Sequence, residues 1–558
     1  MRMSSKRNQS VLGRGRAKAV EVFSADLRSL AVFRIVLALL ILAVLANRAT
    51  DLSAHYTDQG VLPRTVLLEE VLSRWAFSLN LMNGELFFQA LLFGLGMLAV
   101  LGMLIGYRTR LMTVITWIVL LSIQMRNPLV SNSGDDLLRM LLFWGMFLPL
   151  GAYWSLDRAR KVAAPRLSTH FLSFATVGLF LQIAFMYWFA AIKKSGPEWR
   201  VDGTALYYAL SIDQLTMPIG TYLLQFPALL KELTFATLGL EIIGPFLLFF
   251  PFFTGPVRTG AIVAFMSFHF GIWLTLDIGI FPWISAFCMV CFLPSWLWNN
   301  ASKLGAKILK RSSTERHAQH LGGRGIFQPH WLRLQALLSP VVGVGHSSVA
   351  AGMAADVGQS QPAAESLAAR ETRRSTLDGG ERITLRSSFA TNLLAFFFLL
   401  FVFSWNITTV SELKMPERLL PLAYFLGIDQ SWGMYAPYPS KDDGWFVIPG
   451  TLRGEEQVDL MGVAGGDFTL RRVSWEKPQY VANTYKNEPW RKYFESILSY
   501  SDQRPHFGRY ICREWNARHT DSEELMTFQI VFMLEKTLPD YQNSTPQKKV
   551  LRNHDCFS

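Results

Sequence analysis

Long apolar runs separated by short polar segments dominate the chain from residue 30 to residue 407. A helix needs about 20 apolar residues to cross the hydrocarbon core of a bilayer. Nine runs approach that length and predict membrane-spanning helices at about residues 30–46, 87–105, 111–125, 137–154, 170–193, 234–253, 257–276, 278–298 and 388–407. The pattern therefore predicts a polytopic α-helical membrane protein.

The segments outside these runs divide the chain further. Residues 1–29 form a basic arm, and residues 30–298 hold the first eight spans as one membrane domain. Residues 299–387 contain a Gly/Ala/Ser-rich tract that cannot build a core, which predicts a largely disordered loop. Residues 410–558 contain short alternating runs at 444–448 and 526–532, with a helical pattern near 490–500, and predict a β-rich α+β domain.

Composition and charge give this architecture an orientation. Hydrophobic residues make up 51% of the 558 positions and charged residues 17%, which excludes a soluble protein of this size. The net charge of +12 lies mostly beside the predicted spans, where lipid headgroups explain it better than nucleic acid does. Segments predicted to lie inside carry fourteen Lys and Arg residues against eight outside. The N-terminus and the loop at 299–387 are therefore predicted to be cytoplasmic, and the odd number of spans places the C-terminal domain outside.

The four cysteines indicate packing and cross-linking. Cys288 and Cys291 lie in a predicted span and are expected to pack in its core. Cys512 and Cys556 lie in the C-terminal domain, where they either form a disulfide or remain two free thiols. The spacing of His, Cys, Asp and Glu shows no metal-ligand motif, so no metal is expected.

The fifth predicted span runs directly into two adjacent lysines, Lys193 and Lys194. An ammonium group at this depth either reaches the interface with its flexible stem or faces a cavity in which the charged form is disfavoured. Two interpretations therefore stay open at this point, a helix end anchored by lysines and a lysine base.

Two further ionisable residues lie at a similar depth. Glu241 and His269 each lie about seven residues from the outer end of a predicted span, which is roughly 10 Å at 1.5 Å per residue. Ionisable residues inside a membrane are rare and usually face a bundle interior or a wet cavity. We therefore predict that Lys194, Glu241 and His269 converge on one outer-leaflet cavity, although a Glu/His pair could also simply hold helices together.

Another polar cluster lies where the third predicted span turns into the fourth. It contains Asn127, Asn132, Asp135, Asp136 and Arg139. A solvated loop with an Asp/Arg pair is the simplest interpretation of these residues.

Motifs in the same order as in a known family accompany these residues. They are Phe33-Arg34-Ile35, Gly60-Val61-Leu62-Pro63, Ser133 to Arg139, Phe147 to Gly151, Tyr153 to Asp157, Ala191 to Lys194 with Trp199, Leu240-Glu241, Ser267-Phe268-His269 and Ser431 to Tyr435. Together they resemble the HTTM family, bacterial relatives of vitamin K-dependent γ-glutamyl carboxylase. The resemblance covers most of residues 25–300 and the start of the C-terminal domain.

The resemblance implies a chemistry and a set of site residues. In the carboxylase, a lysine at the place of Lys194 deprotonates reduced vitamin K, and oxygenation of this quinol generates the strong base that removes a glutamate γ-proton before carbon dioxide adds. The implied cofactor is thus reduced vitamin K or another quinol, which would reach the pocket through the lipid bilayer. Lys193 would disfavour the charged form of Lys194 through its own charge, and Glu241 and His269 would tune or orient the base.

Two departures from the family keep a second function open. The carboxylase has an assisting histidine near the turn at Asn132-Ser133-Gly134, and this chain has none there. The C-terminal domain of this chain is also much shorter than that of the carboxylase. The two hypotheses are a quinol-dependent, carboxylase-like enzyme that modifies an extracytoplasmic peptide, and a non-catalytic maturation or transport factor for a secreted peptide or toxin. Both place the protein in a bacterial inner membrane.

The charge distribution predicts which side of the membrane each segment occupies. In intact cells, a membrane-impermeant thiol reagent should label a Gly465→Cys variant, because the C-terminal domain is predicted to face outward. A Ser5→Cys variant in the N-terminal arm should be labelled only after permeabilisation. Labelling of Gly465→Cys that also requires permeabilisation would contradict this topology.

Overall fold

The computed structural model describes residues 15, 17–161, 168–305, 384–539 and 542–557. Most of the predicted basic arm and most of the predicted loop at 299–387 lie outside the described residues. The chain divides into a large compact unit, residues 1–163, 169–293 and 386–558, and a second unit, residues 164–168 and 294–385. The described part of the second unit contains a helix at Ser295–Gly305.

Helices build the membrane part of the large unit. They are α1 (Leu27–Ala49), α2 (Leu86–Ile105), α3 (Thr109–Arg126), α4 (Ser133–Gly145), α5 (Phe174–Lys193), α6 (Ala205–Leu210), α7 (Pro227–Leu248), α8 (Thr254–Thr275), α9 (Phe281–Cys288) and α10 (Phe389–Thr408). Shorter unnumbered helices occupy Leu52–Tyr56, Arg64–Val66, Leu156–Ala159, Pro197–Arg200, Pro218–Leu223 and Leu420–Leu426.

Five of the described helices, α1, α2, α5, α8 and α10, are long and apolar enough to cross a membrane. The bent pair Phe281–Phe292 and Ser295–Gly305 would make a sixth crossing if it is one broken span. By contrast, α4 has 13 residues and is about 20 Å long, less than the hydrocarbon thickness of about 30 Å. The prediction of a helical membrane protein is confirmed, and the count of nine spans stays a prediction.

Local sequence signals explain where several of these helices begin and end. Asp26 caps α1 by accepting a hydrogen bond from the backbone N–H of Arg28, and Ser173 and Thr176 form a capping box at the start of α5. The helix α2 ends at Gly106, whose φ of 72° lies in the left-handed region that favours glycine.

The strands form two antiparallel sheets. The small one pairs β1 (Ala25–Asp26) with β2 (His170–Phe171). The sheet of the C-terminal domain contains β3 (Asp442–Val447), β4 (Pro449–Leu452), β5 (Gln457–Asp459), β6 (Leu525–Leu538), β7 (Gln542–Asn543) and β8 (Gln547–Asp555). Its order is β3-β6-β4-β5, with β7 and β8 also paired to β6. With α11 (Glu488–Ser499) and α12 (Arg504–Asn516), this sheet confirms the predicted β-rich α+β domain.

The C-terminal domain shares its hydrophobic core with loops of the membrane part. Leu62 and Val130 from these loops belong to the same buried cluster as Trp490 and Phe494 of α11. Polar contacts support this interface, because the Asp51 carboxylate accepts hydrogen bonds from Lys486, Asn487 and Trp490. The domain is therefore packed onto the helices and not merely tethered to them.

The cysteines take the places expected for cross-linking and packing. Cys512 and Cys556 form a disulfide with Cα atoms 5.4 Å apart, which selects the bonded alternative and ties α12 to the residue after β8. Cys288 and Cys291 are buried free thiols, as the sequence predicted.

One buried carboxyl group links the sheet to a loop between α6 and α7. Asp443 of β3 is 3% exposed, and its Oδ2 accepts a hydrogen bond of 2.6 Å from the backbone N–H of Asp213. Burial, together with the nearby Asp213 carboxylate, raises the pKa of Asp443 to about 7. Because the folded pKa exceeds the unfolded one, this group's stabilisation is complete below pH 4 and is lost as the pH rises through 7.

An Asp443→Asn variant should therefore lose less stability than the wild type as the pH rises. We expect the free energy of unfolding of the wild type to fall by about 2 kcal/mol more than that of the variant between pH 5 and pH 8. Thermal unfolding in detergent across this range measures the difference. The matched control is Asp442→Asn at the exposed neighbouring position, and equal pH profiles of wild type and Asp443→Asn would contradict the prediction.

Candidate functional site

Lys194 follows the last residue of α5 and is directed inward. Its side chain is 2% exposed and its Nζ lies 2.8 and 2.7 Å from the two carboxylate oxygens of Glu241. Glu241 is on α7 and is 5% exposed. The side chain therefore points into the helix bundle, where a carboxylate pairs with the ammonium, and this contradicts the interpretation of Lys194 as an interfacial anchor.

Neighbouring residues hold the backbone and side chain of Lys194 in place. Arg200 donates a hydrogen bond of 2.8 Å to the Lys194 carbonyl, and the Lys194 Nζ lies 5.1 Å from the ring centroid of Trp199. The Trp199 indole donates in turn to the carbonyl of Tyr435 in the C-terminal domain. The ammonium is thus positioned by a carboxylate and an aromatic face, and the aromatic ring is itself fixed.

His269 lies on α8 and is 2% exposed. Its Nε2 shares a hydrogen bond of 2.7 Å with the hydroxyl of Tyr187 on α5. Within the described chain, its Nδ1 is buried without a hydrogen-bond partner. Buried polar atoms normally have partners, so this nitrogen is available to a ligand.

Lys194, Glu241 and His269 all line one cavity of about 810 Å³. The structure therefore brings together the three residues that the sequence placed at one depth. Apolar side chains line much of the cavity, among them Leu206, Leu210, Leu233, Phe268, Ile272 and Phe281. Polar side chains line another part, including Asn132, Asp136, Glu488, Arg491 and Glu495.

Lys193 does not share this environment. Its Nζ donates a hydrogen bond of 2.7 Å to the hydroxyl of Ser431, and it is absent from the described residues that line the cavity. Successive residues at a helix end point about 100° apart, which separates the two lysines. The structure thus gives no basis for the predicted catalytic role of Lys193 beside Lys194.

Several lining residues were not anticipated from the sequence. Tyr187 precedes Lys194 by two helical turns and so lies on the same face of α5, which is a signal that could have identified it. Glu488 and Tyr435 belong to the C-terminal domain, and no local pattern connects them to the spans. Among the described residues, the Tyr435 hydroxyl is buried without a partner, and the Tyr435 backbone has a φ of 55°.

Asn132 occupies the turn where the related carboxylase has a histidine. Its side-chain amide donates a hydrogen bond of 2.6 Å to Glu488. Burial raises the pKa of Glu488, the Asp135 carboxylate raises it further, and Arg491 and Arg48 lower it. The ionisable group at this turn is therefore the Glu488 carboxyl group of the C-terminal domain, which is hydrogen-bonded to Asn132.

Asp135 and Arg139 of the polar cluster are buried in the first turns of α4, and Asn127 is buried ahead of it. The interpretation of the cluster as a solvated loop is therefore wrong. Asp135 forms a 2.7 Å ion pair with Arg48, and both side chains are almost fully enclosed. Arg139 pairs with Asp136 as expected, but it also donates to Gln124 and to the Gly427 carbonyl. These contacts are structural, because they join α1, α3, α4 and the C-terminal domain.

A comparison with known protein families identifies the segment that contributes most of the cavity lining. Residues 24–296 match the family model of the HTTM domain. By this match, residues 24–296 form an HTTM domain. The HTTM domain contains Lys194, Glu241 and His269, and such domains are found in vitamin K-dependent carboxylase-like proteins. Searches of curated proteins and of solved structures found no match.

The geometry of the HTTM domain predicts an asymmetric effect of removing one charge. A Glu241→Ala variant leaves the buried Lys194 ammonium unpaired and should lower the free energy of unfolding by about 3–5 kcal/mol. A Lys194→Met, Glu241→Leu double variant should lose much less, since no unpaired charge remains. Thermal unfolding in detergent measures both.

The matched control is Glu232→Ala, which changes an exposed glutamate on the same helix and should stay within about 0.5 kcal/mol of the wild type. A Glu241→Ala protein as stable as the wild type would show that the pair is not buried.

Proposed function

We propose that this HTTM-domain protein is a quinol-dependent, carboxylase-like membrane enzyme that modifies a peptide on the outer side of the membrane. The observation that carries the proposal is the Lys194–Glu241 pair, which lines the same cavity as the unpaired nitrogen of His269. Such a set of convergent ionisable residues beside the apolar wall of a pocket is typical of a site for chemistry.

The Lys194–Glu241 pair provides a base through a proton transfer between its two members. An ammonium group has no lone pair, and the Glu241 carboxylate favours that charged form of Lys194. Transfer of one proton across the contact of 2.7 Å converts both partners to their neutral forms, which a low-dielectric site tolerates. Lys194 is then a free amine that accepts a proton from a substrate hydroxyl, and Glu241 holds the proton that the lysine released.

The cavity residues fit a quinol. A reduced naphthoquinone has a flat apolar ring and two hydroxyl groups, and the apolar wall with Phe268 and Ile272 suits the ring. Lys194 would take one hydroxyl proton and His269 would offer its free nitrogen to a hydroxyl group. When bound, the quinol would supply the electrons for reaction with oxygen, and the chain's own residues would orient it and accept its proton.

The polar part of the cavity supports a peptide substrate. Glu488, Arg491 and Glu495 come from α11 of the C-terminal domain, which the charge distribution predicts to lie outside. Side chains of this kind offer hydrogen bonds and charges to a polar ligand. A lipid-soluble quinol and a water-soluble peptide would thus approach the same cavity from its apolar and polar parts.

Two observations support a second, non-catalytic function. A buried ion pair can hold two helices in register without any catalysis, and the Lys194–Glu241 contact joins α5 to α7 in this way. The carboxylase's assisting histidine is also missing from the turn at Asn132. These features favour a non-catalytic maturation or transport factor for a secreted peptide or toxin.

A Lys194→Arg variant separates the two functions. Arginine keeps the positive charge and can still pair with Glu241, but it does not release a proton at accessible pH. We expect at least a hundredfold loss of carbon dioxide incorporation into a glutamate-containing peptide in the presence of reduced vitamin K, since general-base catalysis contributes about 10²–10⁴-fold. Radiolabelled bicarbonate and purified protein in lipid nanodiscs provide the measurement.

Lys193→Arg is the matched control, because it changes the adjacent lysine that does not line the cavity, and it should retain activity. Unchanged activity in Lys194→Arg would contradict the enzymatic proposal. Peptide maturation in cells that survives Lys194→Arg would favour the scaffold function.

A further inference from the structure

A second concave surface lies entirely within the C-terminal domain. Helix α12 contributes Arg509 and Arg513 to it, and strand β8 contributes Lys548 and Arg552. We refer to the surface between these four residues as the cationic groove. Its volume is about 1090 Å³, and it does not share a lining residue with the HTTM-domain cavity.

The described residues neutralise the positive charge of the groove only in part, since Arg513 forms an ion pair of 3.8 Å with Glu514. Asp555 is the one carboxylate among its described lining residues. The salt bridges within the described chain include none for Arg509, Lys548 or Arg552. The Lys548 ammonium lies 3.9 Å from the ring centroid of Trp475, and the Arg552 Nε is buried without a partner among the described residues.

The two walls of the groove are fixed to each other. The disulfide between Cys512 and Cys556 joins α12 to the end of β8, and both cysteines line the groove. Arg504, at the start of α12, donates a hydrogen bond of 3.2 Å to the Leu551 carbonyl of β8. The cations are therefore presented at a set distance, which lowers the entropy cost of binding.

The spacing of the cations indicates an elongated ligand. Arg509 and Arg513 are one helical turn apart, about 6 Å. Lys548 and Arg552 are four residues apart along a strand, about 13 Å. A single phosphate or carboxylate would engage only part of this array. Several negative charges along an extended chain match both walls.

We propose that the cationic groove binds an acidic, extended peptide segment. The concave shape of the groove favours a peptide over an anionic bilayer, because a flat surface does not enter a groove. Trp475, which is 38% exposed, adds aromatic surface to the same lining and would contact the peptide between its charges. This inference is independent of the proposed function, because it involves no residue of the HTTM-domain cavity.

The test uses the full chain in phosphatidylcholine nanodiscs and a fluorescein-labelled peptide with six Glu-Gly repeats. Fluorescence anisotropy should show saturable binding at 50 mM salt that weakens at least tenfold at 300 mM salt, because ion pairs at a surface are screened. The matching Gln-Gly peptide should bind at least tenfold more weakly. An Arg509→Glu, Arg552→Glu double variant should also weaken binding at least tenfold.

The control is a Lys414→Glu, Lys536→Glu double variant, which changes the net charge equally at exposed positions outside the groove. Lys536 is far from the groove, because it lies seven residues, or about 23 Å along β6, beyond the groove-lining residue Gln529. This control should bind within twofold of the wild type. If the groove variant unfolds at a lower temperature than the wild type, Lys548→Glu replaces it, because the Lys548 side chain contacts Trp475 at the surface.

Four outcomes would overturn the inference. They are absence of binding by the wild type at 50 mM salt, equal binding of the two peptides, equal weakening in the control variant, and binding to phosphatidylglycerol vesicles that an excess of the Glu-Gly peptide does not inhibit.

Discussion

The ion pair between Lys194 and Glu241 constrains the arrangement of the helices around it. Both side chains are almost fully enclosed, and a buried charge without a partner costs several kcal/mol. The end of α5 and the middle of α7 must therefore stay in contact. Gly244, one turn after Glu241, allows α7 to approach α8 closely, because a Cβ atom there would lie 2.6 Å from the Phe265 ring. Phe265 in turn packs 4.3 Å from the ring of Tyr187, the partner of His269.

The same constraint makes the C-terminal domain part of the site. Trp199, which lies against the Lys194 ammonium, donates to the carbonyl of Tyr435, and the Gly196 N–H donates to the carbonyl of Pro437. A salt bridge of 2.6 Å between Lys441 and Glu198 adds to this contact. Residues of the C-terminal domain, more than 200 positions later in the chain, thus hold the segment after Lys194 in place. A membrane domain without the C-terminal domain would lack these contacts and one part of the cavity lining.

The sequence predicted the features that depend on one helix at a time. The apolar runs gave the helices, and a rise of 1.5 Å per residue was enough to place Glu241 and His269 at similar depth. The alternation at 444–448 and 526–532 likewise located β3 and β6. The sequence did not predict the features that depend on contacts between particular helices. The enclosure of Asp135 by Arg48, for example, depends on a contact between α1 and α4 that has no local signal. The same holds for Glu488, which reaches the cavity only because α11 packs onto the membrane part.

The distribution of charge distinguishes the two concave surfaces by the ligands that each can attract. In the HTTM-domain cavity, Lys194 and Glu241 neutralise each other, so the innermost site has little net attraction for an ion. A neutral, apolar molecule that arrives through the lipid loses least on entering it. In the cationic groove, at least three cations have no carboxylate partner in the described chain, so an anion arriving through water gains most there. Under the two proposals the protein receives a quinol from the bilayer and peptides from the aqueous phase. The shared core of α11 with the membrane loops connects the domain that carries the cationic groove to the helices that line the cavity.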